Sequence, residues 1–143
     1  NMKAQPIRVG SISKPSAVAA AIAGTVRSHG MVEVHVIGAG ALNVAKKAII
    51  IANLYLIDDD LVIDVVAMFA NIMIEDNERT SIHMLGLVET WQAYESRAIE
   101  AGATEFVSAL REQRENYGGA RVAKRHERSR GNTRRRTRRR VGS

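Results

Sequence analysis

The order of the elements in this chain is set by residues 31–56, which read MVEVHVIGAGALNVAKKAIIIANLYL. Valines at alternate positions predict a strand over Met31–Ile37 with one buried face. The glycines at 38 and 40 interrupt that pattern, and the apolar residues after them recur at helical spacing, which predicts a helix over Ala41–Leu56. A strand, a glycine turn and a helix therefore form the centre of the fold.

The segment before this centre has the same organisation. Ile7–Ile12 is typical of a short strand, and Pro15–His29 has apolar residues along one helical face. Pro15 is suited to the first turn of a helix, and we expect Ser13 to act as its N-cap. Gly30 supplies the stop signal.

The segment after the centre predicts a long hairpin. Leu61–Ile74 has a strand pattern, residues 75–78 form a polar turn, and Arg79–Glu89 returns. The complete order β-α-β-α-β-β predicts a two-layer α/β sandwich, with both helices on one face of a four-stranded mixed sheet.

Two segments follow this first domain, which we assign to residues 1–89. Residues 90–116 predict a helical extension that Gly102 and Thr104 divide into two pieces, with one apolar stripe formed by Ile99, Ala103, Phe106, Val107 and Leu110. Residues 117–143 are nearly without apolar side chains and are not expected to form a core by themselves.

Composition limits the classes of function. Aromatic residues make up only 4% of the chain, so the core must consist of Ala, Val, Ile and Leu. There is no cysteine, which excludes disulfides and cysteine-based zinc sites. No apolar run reaches the roughly 18 residues of a membrane span, so we expect no membrane contact.

We expect an intracellular protein, either mitochondrial or otherwise organellar, or cytoplasmic. The first residue is Asn1 rather than methionine, which is compatible with the removal of a leader peptide.

The strongest chemical signal is an uneven distribution of charge. Residues 1–116 have ten basic and fourteen acidic residues, whereas residues 117–143 have eleven basic and one acidic. Arginine dominates the second group, and guanidinium groups both bind phosphate bidentately and stack on unpaired bases, which favours RNA. The predicted phosphate-binding residues of this tail are Arg121, Lys124, Arg125, Arg128, Arg130, Arg134, Arg135, Arg136, Arg138, Arg139 and Arg140.

Motifs for catalysis or cofactor binding are weak. Gly38-Ala39-Gly40 has Asn43 where a dinucleotide fingerprint needs its third glycine. The four histidines have no metal-ligand spacing, and Asp58–Asp60 lacks the spacing of a calcium loop. We therefore predict no catalytic residue, no metal and no cofactor.

Several segments resemble the stage V sporulation protein S family and, behind it, the Alba superfamily of nucleic-acid-binding proteins. They are Ser13–Ala19, Ile37–Asn43, Ala45–Ala48 and Ile72–Ile82. The similarity extends over residues 7–89 and implies an Alba-like fold, usually dimeric, that binds DNA or RNA without catalysis.

The resemblance also implies where nucleic acid would bind. Lys14 occupies the place of the lysine-bearing turn that meets phosphates in Alba proteins. The turn Gly38-Ala39-Gly40 lacks the arginine that Alba proteins often have there, and the hairpin tip at residues 75–78 is acidic. These departures make the arginine-rich tail the main expected anchor.

Four residues of the second helix are the remaining candidates for contacts with nucleic acid or a partner. Lys46 and Lys47 lie on its polar side and either contact nucleic acid or only keep that side hydrated. Ile50 and Leu54 interrupt the same side, which predicts a contact with a second copy or another partner.

We expect a non-enzymatic RNA-binding protein, a structural subunit of a ribonucleoprotein or ribosome, whose partners are RNA and other subunits. One alternative is an Alba-like homodimer that binds DNA as a chromatin protein. A scaffold for protein assembly, with the tail on acidic partners, is another.

Overall fold

A four-stranded mixed sheet, covered on one face by two helices, forms the body of the protein. The computed structural model describes residues 4–117. In chain order the elements are β1 (Ile7–Val9), α1 (Pro15–His29), β2 (Met31–Val36), α2 (Ala39–Tyr55), a short 3-10 helix (Ile57–Asp59), β3 (Leu61–Ile74), β4 (Asn77–Thr90), α3 (Trp91–Glu100) and α4 (residues 104–117).

The sheet has the strand order β1-β2-β4-β3. β1 and β2 are parallel because α1 carries the chain back between them, whereas β4 runs antiparallel to both β2 and β3. The α/β sandwich predicted from the sequence is confirmed, including the hairpin formed by the last two strands.

The core lies between the helices and one face of the sheet. The apolar face predicted for α1 is fully buried, and the alternating valines of β2 point into the same layer. From α2 the core receives mainly alanines, which allow the two helices to pack closely. The buried residues of the two helices are Val18, Ala19, Ile22, Ala23, Val26, Ala41, Ala45, Ala48 and Ala52, and Leu56, the residue after α2, is buried beside them.

The first strand ends earlier than predicted, and the first helix has the predicted bounds, Pro15–His29, but a different N-cap residue. β1 ends at Val9 rather than at Ile12, because Gly10 begins a turn in which its carbonyl accepts from Ser13 N. Ser13 Oγ accepts a hydrogen bond from Gly10 N at 3.1 Å. The hydroxyl therefore closes the turn, and the prediction that Ser13 caps α1 is wrong: Lys14 occupies the N-cap position.

The turn of the hairpin is shorter than predicted. Ile74 pairs with Asn77, so only Glu75 and Asp76 lie between the strands, and both have positive φ. Such φ values fit a two-residue turn whose twist matches that of the strands it joins. β4 therefore begins two residues earlier than the sequence indicated.

The helical extension breaks where the sequence predicted. Gly102, at φ 99°, separates α3 from α4. The break reorients α4, so that the expected apolar stripe is only partly correct. Val107 is buried, whereas Ile99 and Phe106 are exposed.

The sheet face opposite α1 and α2, here called the outer face, is uncovered over most of its area in the described part of the chain; at one end Arg97 of α3 pairs with Asp64 and Glu89. Val66, Met68 and Leu87 are large apolar residues exposed on it. The pairing of β2 with β4 ends at Val36 and Ile82. Residues 70–81 lie past this point and form strand pairs only with one another. We call this protruding segment the hairpin arm.

Gly86 provides a test of the packing. A Cβ at this position would lie 2.6 Å from Ile63 Cγ2 and 3.1 Å from Val32 Cγ1. Because β-branched side chains have little freedom to move away, we expect Gly86→Ala to lower the free energy of unfolding by about 1–3 kcal/mol in urea titrations.

The matched control is Gly24→Ala in α1, where an added Cβ would meet no atom within 4 Å. Alanine there should raise the free energy of unfolding by roughly 0.5–1 kcal/mol, because it reduces the freedom of the unfolded chain. Equal effects of the two substitutions would contradict the close contact at Gly86.

Candidate nucleic-acid interface

The predicted lysines of the body are exposed but lie at different heights along the helical layer. Lys14 is at the beginning of α1, where the turn around Ser11 touches Gly40 at the beginning of α2. Lys46 and Lys47 lie seven and eight residues into α2, about 10 Å along the helix axis. The three lysines therefore lie at two different heights of the helical layer and do not form one cluster.

The tip of the hairpin arm is acidic. Glu75 and Asp76 form its turn, and Glu78 follows in β4. This is the position at which the family resemblance would place a contact with nucleic acid. Negative charge there opposes the approach of phosphate.

Three of the six arginines among residues 4–117 are paired with carboxylates. Arg27 Nε donates to Asp59 at 3.0 Å, and its Nη2 donates to the carbonyl of Tyr55 at 2.8 Å. Arg111 pairs with Glu95 across the two C-terminal helices. These arginines are committed to contacts within the fold.

Arg97 joins α3 to the hairpin. It pairs with Glu89 in β4 and lies 3.4 Å from Asp64 in β3. Its pKa is raised, chiefly by the hydrogen bond that its guanidinium donates to Glu89. This arginine fixes α3 to the sheet.

Arg8 is a cation that sequence reasoning missed. It is exposed, and none of the five ion pairs among residues 4–117 includes it. It is opposite His35, which in turn is opposite His83, so the three side chains share the outer face. The missing signal was the strand register, which links residues far apart in the chain.

The helical extension fixes where the arginine-rich tail begins. Val107 is 1% exposed, and the guanidinium of Arg114 lies 4.5 Å from the centre of the Trp91 ring. Burial lowers the pKa of Arg114, and the charge of Asp60 acts in the opposite direction. Tyr117, the last described residue of α4, lies beside Arg27 near the C-terminal end of α1.

The predicted tail residues, Arg121 to Arg140, lie outside the described residues. The segment that carries them starts at the end of the helical layer opposite Lys14. Arg27 is thirteen positions after Lys14, a rise of about 20 Å along the helix axis. Lys14 and Tyr117, the last described residue before the tail cations, therefore lie at opposite ends of the domain.

The predicted partner contact on α2 adjoins the free edge of the sheet. Ile50 is 62% exposed, and Leu54 is half-buried. Asn53, between them, accepts a hydrogen bond from Ile63 N of β3 at 2.8 Å. This side of α2 therefore borders β3, the edge strand.

The described residues contain neither a metal-binding cluster nor a membrane-spanning helix. Between residues 4 and 117, no three His, Asp or Glu side chains are arranged to hold a metal ion. No helix in the same range has the length and apolar character to span a membrane.

Residues 5–89 match the family described as Stage V sporulation protein S (SpoVS). Because the match covers more than half of the chain, the chain belongs to this family. The resemblance inferred from the sequence is confirmed, and the α3–α4 extension lies outside the matched range.

The contact between Arg114 and Trp91 can be tested with a matched pair of arginines. Arg114→Ala should lower the free energy of unfolding by about 2 kcal/mol, because it removes a partly desolvated cation from the ring face. It should also shift the emission of the only tryptophan to the red.

Arg111→Ala removes an exposed ion pair three residues away and should change the free energy of unfolding by less than about 1 kcal/mol. If the two variants unfold alike and Trp91 emission is unchanged in both, Arg114 does not fix α4.

Proposed function

We propose that this member of the stage V sporulation protein S family is a non-enzymatic RNA-binding protein that acts as a structural subunit of a ribonucleoprotein or ribosome, in an organelle or the cytoplasm. The observation that carries the proposal is the separation of charge. Residues 117–143 have eleven basic residues and one acidic residue, whereas the preceding 116 residues have an excess of acidic ones. Its partners would be RNA and neighbouring subunits.

The charge pairs of the body support the tail as the main anchor. Arg27, Arg97 and Arg111 are occupied by carboxylates, and the hairpin tip is acidic. A body of this kind attracts phosphate weakly. Each tail residue that neutralises a phosphate releases a counterion, so a tail anchor makes affinity depend strongly on salt.

The position of α4 supports a path for the RNA backbone. The tail starts near Arg27 at one end of the helical layer, and Lys14 lies at the other end. Lys46 and Lys47 are exposed at intermediate height. In this proposal the tail captures the RNA, and the three lysines guide it along α1 and α2.

Deletion of residues 118–143 tests the anchor while keeping Tyr117 in place. We expect the truncated protein to lose at least a hundredfold in affinity for structured RNA at low salt, because most of its phosphate contacts are gone. The measurement is fluorescence anisotropy over a series of salt concentrations. The slope of log affinity against log salt should fall by roughly 0.7–0.9 for each lost contact.

A second variant separates charge from guanidinium chemistry. Replacing Arg134, Arg135, Arg136, Arg138, Arg139 and Arg140 with lysine keeps every charge but removes the planar groups. We expect affinity for duplex DNA to persist and affinity for RNA with unpaired bases to fall severalfold. Unchanged RNA binding by the deletion variant would refute the proposed anchor.

A homodimer that binds DNA is the second candidate, and the exposed apolar surface beside β3 favours it. Ile50 of α2 and Phe69 on the helix-side face of β3 are both more than three-fifths exposed, and one edge of β3 has no neighbouring strand among the described residues. Exposed apolar edge strands readily pair with another chain. We propose that a second copy covers this surface.

Ile50→Glu tests the homodimer. A charge at the centre of the contact should shift the mass measured by light scattering from that of two chains to that of one, since burying an unpaired carboxylate is unfavourable. Ile12→Glu is the control, because Ile12 is 96% exposed in the turn before α1. A single-chain mass for the unsubstituted protein would exclude the homodimer.

A further inference from the structure

A cavity of about 630 Å³ opens between the end of β1 and the hairpin arm. Its volume is within the roughly 300–1,000 Å³ range of small-molecule sites. Gly10 and the small side chain of Ser81 leave room inside it, and Ile37 and Ile72 contribute apolar walls. Ser81 Oγ donates to the carbonyl of Val36 at 3.0 Å, which fixes this part of the lining.

Two stacked imidazoles form part of the lining. His35 and His83 face each other across β2 and β4, with ring centroids 3.6 Å apart and planes within 7°. His35 Nε2 is 3.1 Å from Glu33 Oε2, which holds its ring in place. Within residues 4–117, the imidazole of His83 has no hydrogen bond, so its ring nitrogens are available to a ligand.

The cation at the rim is Arg8, which also lines the cavity. Its guanidinium is exposed and has no ion pair among the described residues, unlike those of Arg27, Arg97 and Arg111. An anionic group of a ligand in the cavity could therefore form an ion pair with Arg8.

These properties together restrict the chemistry of the occupant. A purely apolar ligand would leave the nitrogens of His83 and the charge of Arg8 without partners. A small anion would leave the isoleucine walls in water. A planar heteroaromatic ring joined to an anionic group uses the walls, the stacked rings, the ring nitrogen and the cation at the same time.

We propose that this cavity binds one unpaired nucleotide, with the base among the apolar walls beside His83 and the phosphate at Arg8. The inference rests on the proposed RNA binding and adds a base-binding position to it. The cavity lies at the Lys14 end of the domain, whereas the tail starts at the other end. A strand bound by the tail must therefore pass along the domain to place a base here.

The experiment uses the full chain and two probes, adenosine monophosphate and labelled decaadenylate, at one fixed salt concentration. His83→Leu removes the ring nitrogens at similar size, and Arg8→Gln removes the charge. The matched controls are His29→Leu at the far end of α1 and Arg111→Gln in α4, neither of which lines the cavity.

We expect His83→Leu to weaken decaadenylate binding roughly tenfold, the size of effect typical of losing one stacked base, and Arg8→Gln to weaken it severalfold. In the unsubstituted protein, the monophosphate should shift the imidazole proton resonances of His35 and His83 and leave that of His29 unchanged. Circular dichroism of each variant verifies the fold. If both cavity variants bind like the controls and the resonances do not move, the site is refuted.

The outcomes also separate this inference from the proposed function. If the full chain binds decaadenylate and the cavity variants bind it equally well, RNA binding stands and the nucleotide site is refuted. If the chain binds no polynucleotide but the monophosphate shifts His35 and His83, the site stands as one for a free nucleotide and the RNA proposal fails. Tighter binding of decaadenylate than of the monophosphate identifies RNA as the source of the nucleotide.

Discussion

The close packing of α1 against α2 through small side chains is the constraint on which the rest of the structure depends. Ala19 and Ala23 of α1 and Ala45, Ala48 and Ala52 of α2 are all buried. Short side chains bring the helices close enough to share one face of a narrow sheet, so a core with few aromatic residues can still be close-packed. Because each helix follows a strand of the same direction, their N-terminal ends meet at one end of the domain and their C-terminal ends at the other.

This one-sided arrangement leaves most of the outer face and the hairpin arm without support from α1 and α2. An isolated two-stranded hairpin is marginally stable in water, and the arm extends past β2 with Met73 and Ile74 exposed near its tip. A neighbouring molecule or a ligand can bury these side chains. The same geometry provides the two surfaces proposed above: the edge of β3 for a second copy and the cavity beside β1 for a nucleotide.

The sequence predicted the features that depend on local periodicity and missed those that depend on register. The buried face of α1 and the full length of β3 were correct because each pattern is continuous along the chain. Ser13 was misassigned because a serine hydroxyl can bond either to a helix end or to a preceding turn. His35 and His83 are 48 residues apart, and only the pairing of β2 with β4 brings them together. The tail cations were evident from composition alone, but composition does not give their position relative to the body.

The positions of the charges explain how two kinds of contact can coexist in one small protein. Phosphate contacts supply affinity without sequence information, whereas contacts with bases supply selectivity. In the proposed function these tasks are assigned to separate parts: the arginine-rich segment captures the backbone, and the cavity at Arg8 and His83 accepts a single base. The excess of acidic residues in the body supports this division, because it repels phosphate from the parts of the fold that have no lysine. A strand held by the tail would then follow the lysines of α1 and α2 and pass over the Lys14 end of the domain to the outer face, where only an unpaired nucleotide would fit in the cavity.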